Sequence, residues 1–344
     1  MRRAAPLAAV LAIVVLAGCG GSGSTSSGRS RRTTTSTGAG TTGATGSTGS
    51  GTTGTQPSTA TRPSNPALAP TTTTVVTDPE CRGNGQRVDR DVPYAAVPSG
   101  VDPALLSLDV YAPIRDTGCP RTHVLVSVHR GAWRAGDKRE VGQRGALALR
   151  EGWVLVSVNH RLAPAAKYPT FDDDVAAAIA WVRANIARYG GDPDHITLLG
   201  TESGAVIAAE DTTNARHLER VGQPLSAIRC SVLVDGQYDI GSLGRAGNPA
   251  VIAAYGTDPR VWSDASAIGH ITPGTGMARL LVIVRGTPAE RASGTAIVNR
   301  ARASGTRATL LATAAFSGPA LDESIGGADE TFVTPPITEF IRSC

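Results

Sequence analysis

From about residue 106 to the carboxyl end, short runs of β-branched and aliphatic residues alternate with longer stretches of helical periodicity. A strand buried on both faces gives a continuous apolar run, whereas an amphipathic helix repeats its apolar residues every three to four positions. The alternation therefore predicts an α/β domain with a doubly wound, mostly parallel sheet, in which ligands lie at the carboxyl ends of the strands. The predicted strands are 106–111, 123–129, 154–158, 195–199, 228–235, 280–285 and 308–312, and the clearest helices are 172–188, 203–211, 291–303 and 335–342.

The first 18 residues have the pattern of an export signal. Two arginines precede an apolar run, residues 4–17, which is too short to span a bilayer comfortably. The run leads into Leu-Ala-Gly and then Cys19, an order that resembles the bacterial lipobox, in which the cysteine receives a lipid and the preceding peptide is removed. We expect a lipoprotein signal peptide over residues 1–18 and lipidation at Cys19. An ordinary signal peptide with an incidental cysteine is the alternative.

Residues 19–80 consist almost entirely of Ser, Thr, Gly, Ala and Pro. Such a segment cannot bury enough apolar surface to offset the entropy of ordering it, so we expect a disordered tether. About 60 residues of this kind span roughly 40 Å. The sequence thus predicts a folded domain over residues 81–344, anchored by lipid on the extracytoplasmic side of a bacterial cell envelope.

Charge in the predicted domain is balanced. The whole chain has 33 Lys and Arg and 29 Asp and Glu; six of the bases and two of the acids precede Cys81, which leaves 27 of each sign. A basic footprint for nucleic acid is therefore absent from the domain. The expected partners are the membrane, through the lipid, and either a small acyl-type ligand or an envelope protein.

Four cysteines remain once Cys19 is set aside, namely Cys81, Cys119, Cys230 and Cys344. An even number in an exported domain indicates two disulfides, for which three pairings are possible. We favour Cys81 with Cys119 and Cys230 with Cys344; free buried thiols are the alternative. Neither Cys-x-x-Cys spacing nor a histidine cluster accompanies them, so neither a metal site nor a cofactor is expected.

The segment from Ser157 to Gly200 closely resembles bacterial carboxylesterases of the hormone-sensitive-lipase and kynurenine-formamidase type. It reads SVNHRLAPAAKYPTFDDDVAAAIAWVRANIARYGGDPDHITLLG. Upstream, the run from His129 to Trp133 is similar to the family's His-Gly-Gly-Gly-Trp oxyanion loop. The resemblance extends over residues 106–341 and implies an α/β-hydrolase fold.

The resemblance places the nucleophile in a Gly-x-Ser-x-Gly turn between a strand and a helix. An ungapped alignment puts Gly200 and Gly204 on the two glycines and Glu202 at the nucleophile position. Ser203 is the fallback nucleophile, but its use would put Thr201 and Ala205 on the flanking positions. A β-branched residue such as Thr201 would crowd that turn.

The other two members of the triad are also replaced. The acid position, after the predicted strand 280–285, holds Ala289, with Glu290 next to it and Asp235 as a second possible acid at the end of an earlier strand. We favour a capping or loop role for Asp235. The histidine position holds Gly318, and the chain has no histidine after His270.

Two further histidines, His129 and His160, are expected near the strand ends, and we interpret both as packed side chains. Activation of a serine hydroxyl needs a base within hydrogen-bond reach, and neither histidine is on the loop that should supply it.

The oxyanion loop is altered as well, because Arg130 replaces its first glycine. The backbone N–H groups of Gly131, Ala132 and Ser203 remain as possible donors to an anion. Glu202 would occupy or repel that space, and Arg130 either pairs with Glu202 or extends to solvent. We place Arg130, Trp133 and Glu202 at the pocket.

Three functions compete on these grounds. A pseudo-hydrolase that binds a ligand or a protein is favoured. The alternative is a carboxylic-ester hydrolase with an unorthodox site that uses Ser203 or Glu202, but hydrolysis of an ester intermediate would still need a base. A purely structural envelope protein is the third possibility and predicts no pocket.

Overall fold

The computed structural model describes residues 81, 83, 85–313, 316 and 318–344. The predicted signal peptide, Cys19 and the tether lie outside the described residues. Within the described ranges, no helix is long and apolar enough to cross a membrane.

In the described part of the chain, eight strands form one sheet. Their order is β1-β2-β4-β3-β5-β6-β7-β8, and the pairs from β4 to β8 are parallel, whereas β2 runs antiparallel to both β1 and β4. The bounds are β1 (Gln86–Pro93), β2 (Ser107–Pro113), β3 (Thr122–Val128), β4 (Val154–Val158), β5 (Gly191–Thr201), β6 (Cys230–Val234), β7 (Arg279–Val284) and β8 (Ala308–Ala312).

Helices connect the strands and cover both faces of the sheet. The bounds are α1 (Arg144–Glu151), α2 (Thr170–Asn185), α3 (Ser203–Thr213), α4 (Ala215–Arg220), α5 (Ile240–Arg245), α6 (Pro249–Tyr255), α7 (Pro259–Asp264), α8 (Ala267–His270), α9 (Pro288–Ala303), α10 (Gly318–Ser324) and α11 (Thr334–Arg342). Apolar residues of α2, α3, α4 and α9 fill one core cluster, and those of α1, α10 and α11 fill the other.

The strands supply both clusters because successive side chains of a strand point to opposite faces. In β3, Val124, Val126 and Val128 belong to the first cluster, while Leu125 belongs to the second. Every residue of β3 is buried, as is expected of a parallel strand with helices on both sides.

The predicted doubly wound α/β-hydrolase fold is confirmed, and all seven predicted strands are present, two with the predicted bounds and five with shifted ends. Two features were missed. The edge strand β1 is half polar and pairs on one side only, so its sequence lacks a long apolar run. The helices α5 to α8, which lie between β6 and β7, have four to seven residues each and are too short to show a clear period.

The favoured disulfide pairing is confirmed. Cys81 is bonded to Cys119, so the segment before β1 is tied to the loop after β2. Cys230 is bonded to Cys344, so the first residue of β6 is tied to the end of the chain.

Candidate functional site

A sharp turn joins β5 to α3 at the carboxyl edge of the sheet, and Glu202 forms its apex. Glu202 has φ +49° and ψ −114°, a backbone conformation that residues other than glycine rarely adopt. Its backbone N–H donates to the carbonyl oxygen of Val234 at 2.8 Å, which fixes the apex beside the end of β6. We call this turn, residues 200–204, the elbow.

The two glycines of the elbow are needed for close backbone approach. A Cβ on Gly200 would collide with the carbonyl of Gly204, and a Cβ on Gly204 would collide with the carbonyl of His129. The structure therefore agrees with the ungapped alignment, which places Glu202 at the apex of the turn. Ser203 is the first residue of α3 and only 5% exposed.

The carboxylate of Glu202 has no ion pair or hydrogen bond with any described residue. The predicted pairing with Arg130 is wrong, because Arg130 points to α10, with its Nε 3.4 Å from Asp322 Oδ2 and its Nη2 3.2 Å from Glu323 Oε1. The Arg130 side chain is 22% exposed, as extension to solvent would allow, but its guanidinium is paired with these two acids. Because Arg130 pairs with the two acids of α10, it does not pair with Glu202.

The oxyanion loop, residues 129–138, follows β3 directly. Gly131, Ala132 and Trp133 all have positive φ, at +131°, +52° and +60°. Neither Gly131 nor Ala132 donates its backbone N–H to a described residue, and Ser203, at the first position of α3, has no partner within its helix. These three amides are the ones that the sequence assigned to an oxyanion site.

The loop is held by contacts behind it. Trp133 is buried and packs edge-on against Tyr255, with ring centroids 5.2 Å apart, so its ring belongs to the core. Lys138 is fully buried, and its Nζ lies 2.7 Å from Asp91 Oδ1, while its backbone N–H donates to Asn159 Oδ1 at 2.6 Å. The position of the amides is therefore set by packing and ion pairing, independently of Glu202.

His129 and His160 stack on each other beside the elbow, with ring centroids 4.5 Å apart and planes 13° from parallel. Each donates Nδ1–H to the carbonyl of the next residue, at 2.8 and 3.0 Å, and each buried Nε2 has no hydrogen-bond partner. Burial, together with the neighbouring His129, lowers the pKa of His160 to about 3, and burial also lowers the pKa of His129. Both rings are therefore neutral and packed, and weak bases near neutral pH.

The residues at the candidate acid positions are either not acidic or already ion-paired. Ala289 is exposed in the first turn of α9. Glu290 accepts from the backbone N–H of Thr287 at 3.1 Å and forms an ion pair with Arg285. Asp235, at the end of β6 with φ +61°, forms an ion pair with the same arginine. Burial raises the pKa of Asp235, and the Glu290 carboxylate adds to the increase, although Arg285 opposes it. Arg285 thus holds both carboxylates.

The position expected for the histidine, Gly318, begins α10. Four residues later, Asp322 meets the guanidinium of Arg144, with Nη1 and Oδ1 2.5 Å apart and both side chains buried. Asp322 therefore forms ion pairs with both Arg130 and Arg144, and these ion pairs link α10 to the oxyanion loop and to α1. We call this set, Arg130, Arg144, Asp322 and Glu323, the α10 ionic cluster.

Sequence reasoning missed a second group of charges, which lies between α2 and α3. The carboxylates of Asp172 and Asp211 are fully buried, and none of their four oxygens has a hydrogen-bond partner. Burial raises the pKa of both well above the ordinary range. The buried ring of His217 lies 2.8 Å from Asp173 Oδ1 and 3.7 Å from Glu210 Oε2. The signal available was the pair Glu210-Asp211, which follows a run of small and apolar residues in α3.

A separate surface groove of about 440 Å³ lies between α1 and α11. Several of its charged side chains are already engaged, since Arg342 contacts Glu151 at 2.6 Å and Arg150 donates to the carbonyl of Gly326 at 2.9 Å. None of the residues that line it belongs to the elbow.

Comparisons with known proteins agree with the fold. The family described as BD-FAE matches residues 108–233. The esterase LipQ of Mycobacterium tuberculosis is 46% identical over 90 residues, which cover 26% of this chain and 21% of LipQ. The probable carboxylic ester hydrolase LipM of the same organism is 32% identical over 162 residues, which cover 43% of this chain and 38% of LipM. The match therefore spans well under half the length of these curated relatives.

Two solved structures share the fold. A truncated form of a carbohydrate esterase from gut microbiota superimposes with a TM-score of 0.61 and 22% identity, covering 75% of this chain and 96% of that one. Esterase B from Lactobacillus Rhamnosis gives a TM-score of 0.60 and 16% identity, covering 75% of this chain and 84% of that one.

Proposed function

We propose that this chain, which belongs to the α/β-hydrolase family of the carboxylesterase type, binds a ligand or a protein partner at the elbow without hydrolysing esters. The observation that carries the proposal is the residue at the apex. The backbone there is held in the strained turn of the fold, but the side chain that it presents is the carboxylate of Glu202.

A missing base supports the proposal. Attack of Glu202 on the alkyl carbon of an ester, with the substrate carboxylate as leaving group, would form an alkyl ester of Glu202. That ester would release product only if a general base activated water. His129 and His160 are buried, stacked and depressed in pKa, and the position of the expected histidine is Gly318. Turnover through a covalent intermediate would stop after its first half-reaction.

The charges around the acid positions point in the same direction. A triad carboxylate orients a histidine and stabilises its protonated form. Asp235 and Glu290 are instead both engaged by Arg285, so they stabilise that arginine. At the carboxyl edge of the sheet, these two carboxylates thus form ion pairs with an arginine, and neither of them pairs with a histidine.

The amide donors of the oxyanion loop remain suited to binding. Gly131 and Ala132 keep free backbone N–H groups in a loop that Trp133 and Lys138 hold from behind. Such preorganised donors bind a carbonyl or anionic oxygen whether or not chemistry follows. An acyl-type ligand therefore matches the amide donors of the oxyanion loop, which this chain retains.

The alternative function is a carboxylic-ester hydrolase that uses Ser203 or Glu202. Ser203 is buried in the first turn of α3, one residue past the apex, so its hydroxyl is not presented as a nucleophile at the elbow would be. Glu202 is presented there but lacks the base that its second step needs.

We also propose that the domain acts outside the cytoplasm, at the cell envelope. Two disulfides are compatible with an oxidising compartment. The predicted lipid on Cys19 would supply the link to a membrane.

The binding proposal is tested by purifying the full chain in detergent from an exporting bacterium, denaturing it and identifying released small molecules by mass spectrometry. We expect a molecule in stoichiometric amount, and we expect its occupancy to fall in Glu202→Ala. The matched variant Glu219→Ala removes an exposed carboxylate of α4 and should keep full occupancy. Equal loss in both variants, or no bound molecule together with robust ester hydrolysis, would overturn the proposal.

A further inference from the structure

We infer that the ligand of the elbow carries a positively charged group, such as an ammonium, that pairs with the carboxylate of Glu202. This inference rests on the proposed function and names the chemical class of its ligand. A charge on a partly buried side chain is normally paired or hydrogen-bonded, because desolvation of an unpaired ion is costly. Glu202 is partly buried and has no such partner among the described residues.

Two described cations on elements next to the elbow are paired with acids. Arg130, on the oxyanion loop, pairs with Asp322 and Glu323. Arg285, at the end of β7, faces Asp235 and Glu290 together. Because one guanidinium faces two carboxylates, the group of Arg285, Asp235 and Glu290 has no surplus positive charge.

Two exposed arginines border the same edge of the sheet. Arg134, on the oxyanion loop, forms no ion pair with a described acid, and Arg291 donates its Nε–H to the carbonyl of Gly286 at 2.9 Å. Both are exposed to water, where ion pairs contribute little to stability and salt screens charge. Residues 314, 315 and 317, next to β8 in sequence, are Ala, Ala and Ser and bring no cation.

The backbone adds a second point of attachment. The free N–H groups of Gly131 and Ala132 can donate to a carbonyl oxygen, while Glu202 can accept from a cationic hydrogen-bond donor or hold a quaternary ammonium by charge alone. A ligand with both groups, an acyl compound bearing an amine, matches the donor and acceptor pattern. A plain neutral ester would leave Glu202 unpaired.

The charge requirement can be measured with two probes that differ in one atom. Butyrylcholine carries a quaternary ammonium, and 3,3-dimethylbutyl butyrate replaces that nitrogen by carbon. We expect isothermal titration calorimetry on the full chain in detergent to show at least tenfold tighter binding of butyrylcholine. The ratio should fall to near one in Glu202→Gln, which keeps the side-chain size, and should persist in Glu219→Gln.

Equal binding of the two probes to the parent protein, no binding of either, or a ratio unchanged by Glu202→Gln would overturn the inference. Titrations with sodium chloride and with butylammonium chloride separate an inorganic cation from an organic one, and competition by sodium alone at equal concentration would also overturn it. Hydrolysis of butyrylcholine is followed in the same samples. Rapid hydrolysis that is lost in Ser203→Ala would contradict the proposed function itself, whatever the charge ratio.

Discussion

Arg144 and Asp322 meet across the second core cluster with their charged atoms 2.5 Å apart, and the side chains are 3% and 9% exposed. Removal of one partner would leave a buried charge uncompensated, which typically costs about 3 to 5 kcal/mol. We therefore expect Asp322→Ala to lower the free energy of unfolding by that amount in urea denaturation. Glu323→Ala removes a carboxylate that is 66% exposed and should cost less than about 1 kcal/mol. Similar losses for the two variants would refute the role given to the α10 ionic cluster.

The second prediction concerns pH. Burial lowers the pKa of His217, but its hydrogen bonds to Asp173 and Glu210 outweigh this and raise the pKa to about 10. Since an unfolded histidine has a pKa near 6.5, the stabilising contribution is complete below about pH 6.5 and is lost as the pH rises through 10. The raised pKa values of Asp172 and Asp211 act in the same direction above about pH 4.

Stability of the parent protein should therefore decrease between pH 7 and 10, with a slope of up to about 1.4 kcal/mol per pH unit from His217. The slope should be smaller in His217→Gln, whatever the absolute stability of that variant. Denaturant midpoints measured at several pH values check this. Parallel pH profiles for the two proteins would show that His217 does not gain its proton on folding.

The disulfides give a third prediction. Cys230–Cys344 closes a loop of 114 residues and Cys81–Cys119 one of 38. A longer closed loop restricts the unfolded chain more, so loss of the first bond should destabilise the domain by about 1 kcal/mol more than loss of the second, within a typical cost of about 2 to 5 kcal/mol each. Denaturation of the two double Cys→Ala variants measures the difference. A larger loss from the shorter loop would contradict the expectation.

Membrane attachment is the fourth prediction. The lipobox-like order before Cys19 leads us to expect that Cys19→Ala releases the protein from the membrane fraction, because the thiol is the site of lipid attachment. Fractionation of cells that express each form tests this. Unchanged membrane partition of the variant would refute lipidation at Cys19.

Much of the site was predictable because it depends on local sequence. Gly200 and Gly204 flank Glu202 at the spacing that a tight strand-to-helix turn requires, so the apex could be located by alignment alone. The disulfide pairing was favoured from the positions of the cysteines, because their number alone allowed three pairings.

The partners of Arg130 could not be predicted, because Glu323 lies 193 residues further along the chain and no local pattern links them. The buried acids were missed for another reason. Polar residues such as Asp172 and Asp211 are ordinarily placed on the exposed face of a helix, and only the three-dimensional packing of α2 on α3 buries them.

The central claim, that the elbow does not turn over esters, is tested most directly with a fluorophosphonate probe and p-nitrophenyl butyrate on the parent protein and Ser203→Ala. Because preorganised amides alone can leave roughly 10³-fold residual catalysis, the deciding quantity is the difference between the two proteins. We predict no covalent labelling of the parent and equal hydrolysis rates within error. Labelling at Ser203, with esterase activity that disappears in Ser203→Ala, would contradict the account.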